Sequence, residues 1–149
     1  MKALYAGSFD PFTIGHLAIA RRALQLFGEL IIGIGYNESK RNEYSVEERI
    51  LKIRKLFEGN PNVSVFGYTG LTAQVAKENG AGVVVRGVRN GVDFEDEKEL
   101  ADINLEVFGM PTVFIPSAPG LSYVSSSMVR ELTHFGHDAT RYIAKDNID

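Results

Sequence analysis

The sequence predicts an α/β protein built on one doubly wound, five-stranded parallel sheet. Two observations lead to this fold class. Short apolar runs alternate five times with polar loops and segments of helical periodicity. Two of the runs, "LIIGIGY" and "GVVVRG", are mostly apolar without alternation, as expected for strands covered on both faces. Such alternation is typical of parallel strands joined by right-handed helical crossovers.

Length and composition fit a single domain over residues 1–149. Hydrophobic residues make up 44% of the chain and charged residues 23%, which are ordinary values for a globular domain. The net charge of −3 argues against broad binding to nucleic acids or anionic membranes. Because the chain has no cysteine, disulfides, thiolate catalysis and cysteine-ligated zinc are excluded. No apolar run is long enough to span a bilayer and no signal segment opens the chain, so we expect a cytoplasmic protein.

The first half of the chain predicts three strands and two helices. The strands are expected at Lys2–Gly7, Leu30–Tyr36 and Val63–Tyr68. The first helix is indicated by apolar residues at steps of three and four, which are Leu17, Ala20, Leu24 and Phe27. Gly28 is a suitable end for it. The second helix opens on the capping-box pair Ser45 and Glu48, and its apolar positions are 46, 50, 53 and 57.

The second half continues the alternation. A short helix is expected over Leu71–Asn79, and a longer one over Phe94–Phe108, where an acidic run favours the amino-terminal end of the helix dipole. The strands between and after them are Gly82–Gly87 and Thr112–Pro116. A last helix over Met128–Phe135 is followed by a weakly patterned tail with a short helix around Ala139–Ile143.

We expect the strand order 3-2-1-4-5, the Rossmann-like arrangement in which ligands bind beyond the carboxyl ends of the strands, where the order reverses. That reversal lies between strands 1 and 4. The segments that follow these strands are "GSFDPFTIGH" (Gly7–His16) and "RGVRNGVDFEDE", which begins at Arg86. They should therefore face each other across one crevice. Gly7 would allow a tight turn and a close approach of a ligand to the backbone.

Four groups near this crevice are suited to binding phosphate, and each also has a purely structural interpretation. His16 lies at a helix start, where anions bind, or it serves only as a cap. Arg86 and Arg89 offer charged donors, or they form exposed ion pairs. Ser125–Ser127 directly precede a helix, where they either bind a phosphate group or only provide a serine N-cap. Lys40 reaches the crevice from the loop after strand 2, or it is a solvated surface lysine.

No covalent nucleophile accompanies these groups. The sequence contains no Walker A motif, no G-x-G-x-x-G after strand 1 and no nucleophile elbow. His134 and His137 are three residues apart, but no third ligand is near them in sequence, which favours a surface interpretation over a metal site. Phosphate-binding groups without a nucleophile favour nucleotidyl transfer, because a phosphate monoester is largely dianionic at neutral pH and attacks without a general base.

Three motifs carry a resemblance. "GSFDPFTIGH" has Thr13, Gly15 and His16 at the positions of a T/H-x-G-H signature, and "VSSSMVR" (Val124–Arg130) is similar to the I-S-S-S-x-x-R signature of the same superfamily. "VVRGVRNGVDFEDE" and "ESK" are similar to bacterial phosphopantetheine adenylyltransferases. Together they resemble the T/H-x-G-H nucleotidyltransferase superfamily and, within it, that adenylyltransferase family.

The resemblance implies transfer of AMP from ATP to 4′-phosphopantetheine, which gives dephospho-coenzyme A and pyrophosphate in the penultimate step of coenzyme A biosynthesis. It also implies Mg²⁺ and a homohexamer. His16 would stabilise the transition state, helped by Lys40 and Arg86. The implied ATP-site residues are Ser8, Phe9, His16, Gly87, Val88, Arg89, Glu97, Leu121, Ser122, Tyr123, Val124, Ser125, Ser126 and Ser127. The implied phosphopantetheine-site residues are Ser8, Lys40, Thr72, Arg86 and Asn104.

Two other functions remain open. A related nucleotidyltransferase acting on nicotinate mononucleotide or glycerol phosphate would use the same fold. A catalytically silent nucleotide-binding regulator is the other alternative. The R-G-x-R segment and the Lys40 loop favour phosphopantetheine over the first, and the joint presence of His16, Lys40, Arg86 and Arg89 argues against the second.

Overall fold

The computed structural model describes residues 1–39 and 42–145, and in these residues the predicted alternation of strands and helices is confirmed. The strands are β1 Lys2–Gly7, β2 Glu29–Gly35, β3 Val63–Tyr68, β4 Val83–Val88 and β5 Thr112–Pro116. The helices are α1 Ile14–Phe27, α2 Val46–Leu56, α3 Thr72–Glu78, α4 Gly91–Phe108 and α5 Ser126–His134, and a 3-10 turn follows at Thr140–Tyr142. None of the described helices is long and apolar enough to cross a bilayer.

The five strands form one parallel sheet in the predicted order β3-β2-β1-β4-β5. β1 lies in the middle, where Tyr5 is in register with Ile32 of β2 and with Val85 of β4. The loops after β1 and β4 therefore leave the sheet side by side. The crevice predicted at the reversal of strand order is thus present.

The core consists of two apolar layers, one on each face of the sheet. Successive residues of β1 point to opposite faces, so that Ala3 and Tyr5 join one cluster and Leu4 and Ala6 join the other. The first cluster receives α1 and α2. The second receives α3, with Phe108 of α4 packed against it. Burial on both faces explains why the central strands are apolar throughout.

Several element boundaries differ from the predicted ones, because side-chain caps decide where the helices begin. The Asn90 side chain accepts from the Asp93 amide at 2.9 Å, so α4 begins at Gly91 rather than at Phe94. Ser125 accepts from the Met128 amide at 3.1 Å, so α5 begins at Ser126. The predicted tail helix is a single 3-10 turn.

Candidate active site

The loop between β1 and α1, residues 8–13, is held in place by side chains from distant parts of the chain. Arg49 of α2 donates to the carbonyl of Ser8 at 2.7 Å. Arg130 of α5 donates to the carbonyl of Asp10, and the hydroxyl of Ser126 donates to that of Pro11, each at 2.7 Å. Because these donors belong to two different helices, the loop geometry is fixed by the fold as a whole.

Gly7 makes room for a side chain of the loop itself. Phe9 has a left-handed φ of 49°, and its ring folds back over the end of β1. A Cβ atom on Gly7 would lie 2.8 Å from that ring. The glycine therefore makes room for Phe9, whose ring in turn meets His16 edge-on at 5.0 Å between ring centroids. Gly7 also lines the large cavity described below, so the approach of a ligand to its backbone stays a prediction.

His16 and Thr13 cap α1 reciprocally. The Thr13 hydroxyl accepts from the His16 amide at 3.2 Å, and His16 Nδ1 accepts from the Thr13 amide at 2.9 Å. This is a capping box in which the histidine ring takes the place usually filled by glutamate or glutamine. Because Nδ1 accepts from a backbone N–H, the neutral ring carries its proton on Nε2. His16 therefore has the capping role, and its part in phosphate binding stays a prediction.

His16 is neutral over the physiological range. Burial, together with the positive charges of Arg86 and Arg89, lowers its pKa from 6.5 to about 3. Burial is the larger of these causes. The ring is thus a hydrogen-bond donor through Nε2–H and carries no charge.

This lowered pKa predicts a pH-dependent contribution of His16 to stability. Between pH 6.5 and pH 3 the unfolded chain binds a proton at His16 that the folded chain does not bind, so acidification through this window favours unfolding. His16→Gln does not titrate and can keep the capping box. We expect wild type to lose stability relative to His16→Gln as pH falls from 7 to 4, measured by urea unfolding. A difference that stays constant with pH would contradict the assigned charge state.

A cavity of about 410 Å³ lies beyond the carboxyl ends of β1 and β4. Its volume is in the range of small-molecule sites. Most of the residues expected at the ATP site line it, namely Ser8, Phe9, His16, Gly87, Val88, Arg89, Leu121, Val124, Ser125, Ser126 and Ser127. The crevice predicted from topology therefore holds a cavity of substantial volume.

Three arginines line this cavity and give it a positive character. Arg89 pairs with Asp93 at 3.1 Å, and Arg130 also donates to the Ser127 hydroxyl at 3.2 Å. Arg86 donates to the carbonyl of Ala6. Together with the serines at the start of α5, these guanidinium groups form a surface that suits several phosphate groups at once.

A smaller cavity of about 90 Å³ adjoins the first through Arg86, which lines both. It contains Thr72, Glu97 and Asn104, so two residues expected at the phosphopantetheine site lie here. Arg86 donates to both carboxylate oxygens of Glu97, at 2.8 and 2.6 Å. Burial alone would lower the pKa of Arg86, but the bond and charge of Glu97 outweigh it and raise that pKa. The guanidinium is therefore a fixed cation between two cavities.

Three residues predicted at the ATP site do not line the large cavity, and a fourth predicted site residue is not among the described ones. Glu97, expected at the ATP site, lines the smaller cavity instead. Ser122 and Tyr123 do not line the large cavity, and the Tyr123 ring meets the ring of Tyr142 at 5.9 Å. Lys40 lies outside the described residues.

Three residues that position the site were missed by the sequence reasoning. Arg49 and Arg130 hold the loop from α2 and α5, and the buried Asp10 carboxylate accepts from the amides of Glu43 and Tyr44 at 2.8 and 2.9 Å. Arg130 ends the "VSSSMVR" motif and could have been found from it. Arg49 sits among other charged residues of α2, and nothing in the pattern separates it from them.

Comparison with known proteins identifies the family. The family model described as Cytidylyltransferase-like matches residues 4–132. A phosphopantetheine adenylyltransferase of Porphyromonas gingivalis is 46% identical over 141 residues, which cover 95% of this chain and 92% of that protein. Another, from Phocaeicola vulgatus, is 43% identical over 142 residues, which cover 95% and 94%. The chain belongs to the phosphopantetheine adenylyltransferase family.

A solved structure has the same fold as this chain. A bifunctional NMN adenylyltransferase/ADP ribose pyrophosphatase from Francisella tularensis superposes with a TM-score of 0.75 at 16% identity. The match covers 98% of this chain and 45% of the longer one. At this identity the likeness concerns the fold, and it confirms the predicted class.

Proposed function

We propose that the chain transfers AMP from ATP to 4′-phosphopantetheine, giving dephospho-coenzyme A and pyrophosphate, as a step of coenzyme A biosynthesis. Family membership supports the reaction. The observation that carries the chemistry is a neutral His16 with its proton on Nε2, at the wall of a cavity lined by three arginines. Such a site offers donors to phosphate oxygens without offering a nucleophile.

In the proposed mechanism an oxygen of the phosphopantetheine phosphate attacks the α-phosphorus of ATP in line. A new P–O bond forms as the bond to pyrophosphate breaks. His16 donates from Nε2–H to an α-phosphate oxygen, where negative charge develops, and Arg89 and Arg130 bind the departing pyrophosphate. His16 is not a general base, because Nδ1 is occupied by the Thr13 amide and Nε2 already carries a proton.

The two adjoining cavities support an assignment of one substrate to each. ATP takes the larger cavity, with its phosphates against the serines 125–127, and the pantetheine arm takes the smaller one, near Thr72 and Asn104. Arg86 lies between them and would contact the phosphate that passes from one substrate to the other. The guanidinium thereby brings the attacking and the attacked groups together.

Mg²⁺ is proposed as the metal, carried into the site by ATP. Among the described residues there is no cluster of three or more histidine or carboxylate groups that could hold a metal ion. Arginines and hydroxyls, rather than carboxylates, dominate the large cavity. These residues do not fit a free ion, but Mg²⁺ commonly binds through substrate phosphates and retained waters. The ion would then neutralise phosphate charge when ATP binds.

A cytoplasmic homohexamer is the proposed assembly. The outer face of α4 supports self-association, because no residue of this 18-residue helix is buried. Val92, Leu100, Ile103 and Val107 are each at least half exposed, at 69, 50, 51 and 65%. A contiguous apolar surface of this kind marks an interaction site. Native mass spectrometry measures the number of copies directly.

One assay tests the reaction. Pyrophosphate release from ATP is measured with 4′-phosphopantetheine, with nicotinate mononucleotide and with glycerol phosphate, at matched concentrations and with Mg²⁺. We expect turnover with phosphopantetheine only. Faster turnover with either of the other two acceptors would replace the proposed substrate, and no release with any acceptor would favour a non-catalytic nucleotide binder.

Lys40→Ala is expected to affect the two substrates unequally. The resemblance assigns Lys40 to the phosphopantetheine phosphate, so its loss removes one charge-assisted contact, typically worth 1.5–3 kcal/mol, or roughly 10- to 100-fold in affinity. We expect the KM for phosphopantetheine to rise by about that factor, while the KM for ATP changes less than about threefold. Lys77→Ala, an exposed lysine on α3, is the control. Equal losses for both substrates would contradict the assignment.

A further inference from the structure

The C-terminal segment, residues 138–145, runs from the end of α5 back to the loop that carries Thr13 and His16. Gly136 reverses the chain with a left-handed φ of 84°. Asp138 Oδ1 then accepts from the amide of Thr140 at 2.9 Å and from its hydroxyl at 2.7 Å. These bonds close a turn over residues 138–140 that leads into the 3-10 turn. Ala139, the middle residue, is buried. The course of the segment is thus set by its own local structure.

Two backbone contacts join the segment to loop 8–13. Ile143 forms an antiparallel bridge with Thr13, and the amide of Ala144 donates to the carbonyl of Phe12 at 3.1 Å. Ile143 and Ala144 also line a small pocket together with Phe9 and Phe12. Phe9 lines the large cavity as well, so the loop lies between the segment and the cavity.

The two loop residues that the segment contacts through its backbone, Phe12 and Thr13, both touch the His16 ring, as Phe9 also does. The Phe12 ring stacks on the His16 ring with 5.5 Å between centroids. Thr13, which is only 1% exposed, donates its amide to Nδ1 and thereby sets the tautomer. Any displacement of Phe12 or Thr13 would therefore turn the imidazole relative to the cavity.

We propose that residues 139–145 are a positioning element for adenylyl transfer, which fixes Phe12 and Thr13 and thereby aims Nε2–H of His16 into the cavity. None of these seven residues lines the large cavity, so the segment acts through the loop and not on the substrate. The inference deepens the proposed function and rests on it, because it assigns the segment a part in that reaction.

Ala144→Pro is the sharpest test, since it removes the amide that donates to Phe12. Ile143 has φ −86° and ψ 131°, which is the conformation that a following proline requires, so the substitution fits the chain on that side. Ala144→Ser keeps the amide and is the matched control. We expect Ala144→Pro to lower kcat three- to tenfold with a KM for ATP within about twofold of wild type, and Ala144→Ser to match wild type, since a net hydrogen bond corresponds to about fivefold.

A second readout does not depend on activity. NMR titration of the His16 ring should show its pKa, about 3 in the intact fold, moved upward in Ala144→Pro as the ring loosens from Thr13. Unchanged kcat, or a lower kcat with an unchanged His16 titration, would overturn the proposal. If wild type released no pyrophosphate with phosphopantetheine, the proposed function would fail, while the titration would still test the positioning role.

Truncation covers the case in which Ala144→Pro does not fold. A chain ending at Asp138 lacks the whole positioning segment, and a chain ending at Lys145 keeps it. We expect the shorter chain to lose at least as much kcat as Ala144→Pro and the longer one to keep wild-type kcat, with the number of copies in each checked by native mass spectrometry. Wild-type kcat in the chain ending at Asp138 would overturn the proposal.

Discussion

Replacing His16 with alanine is expected to lower kcat by about two to three orders of magnitude, the usual cost of removing one preorganised donor to a transition-state oxyanion. The ring lines the cavity and carries its proton on Nε2, and it is neutral because burial and two arginines lower its pKa to about 3. Three arginines still line the cavity in the variant, so the KM for ATP should change by less than about fivefold. Steady-state pyrophosphate release measures both quantities.

Two further variants separate chemistry from structure. His16→Gln can keep the capping box through its side-chain amide but cannot reproduce the aromatic contacts with Phe9 and Phe12. The glutamine amide that accepts from Thr13 through its oxygen still carries N–H donors, so if a donor matters His16→Gln should fold like wild type and lose less kcat than His16→Ala. His134→Ala removes an exposed histidine and should have no effect. A His16→Ala enzyme with near-wild-type kcat would eliminate the transition-state role.

The sheet and its order could be predicted because they depend on local patterns. The apolar central runs and the helical spacing of Leu17, Ala20 and Leu24 are visible in the sequence, and the handedness of crossovers limits the topology. The exact ends of strands depend on pairing, which no local pattern contains. β2 begins at Glu29, one residue before the predicted start, where Glu29 is in register with Lys2 and forms an ion pair with it at 3.2 Å.

The site could be predicted only in part. The motifs contain His16, Arg89 and the three serines, and the structure brings them to one cavity. The support of loop 8–13 joins residues 41 and 120 positions apart, from Ser8 to Arg49 and from Asp10 to Arg130. Such pairs follow from how α2 and α5 pack on the sheet. The neutral state of the His16 ring could not be predicted from the sequence either, because it depends on burial in the folded chain and not on the neighbouring residues.

Arg86→Met is expected to lower kcat/KM for phosphopantetheine by about 100-fold or more and to destabilise the fold at the same time. The guanidinium lines both cavities, so its loss removes a cation shared by the two proposed substrate sites. It also leaves Glu97, whose side chain is 19% exposed, as a carboxylate without its partner. The cost of that unpaired group is about 1–3 kcal/mol of unfolding free energy, measured by urea denaturation.

A second substitution separates these two effects. The double variant Arg86→Met with Glu97→Gln has no unpaired carboxylate at position 97. We therefore expect its free energy of unfolding to be close to that of wild type, while its kcat/KM stays low. Arg22→Ala, an exposed arginine on α1, controls for general loss of positive charge. Recovery of activity along with stability in the double variant would mean that Arg86 acts only by supporting Glu97. Continued inactivity in a restored fold would show that the loss of activity comes from removal of the guanidinium and not from an unpaired Glu97 carboxylate.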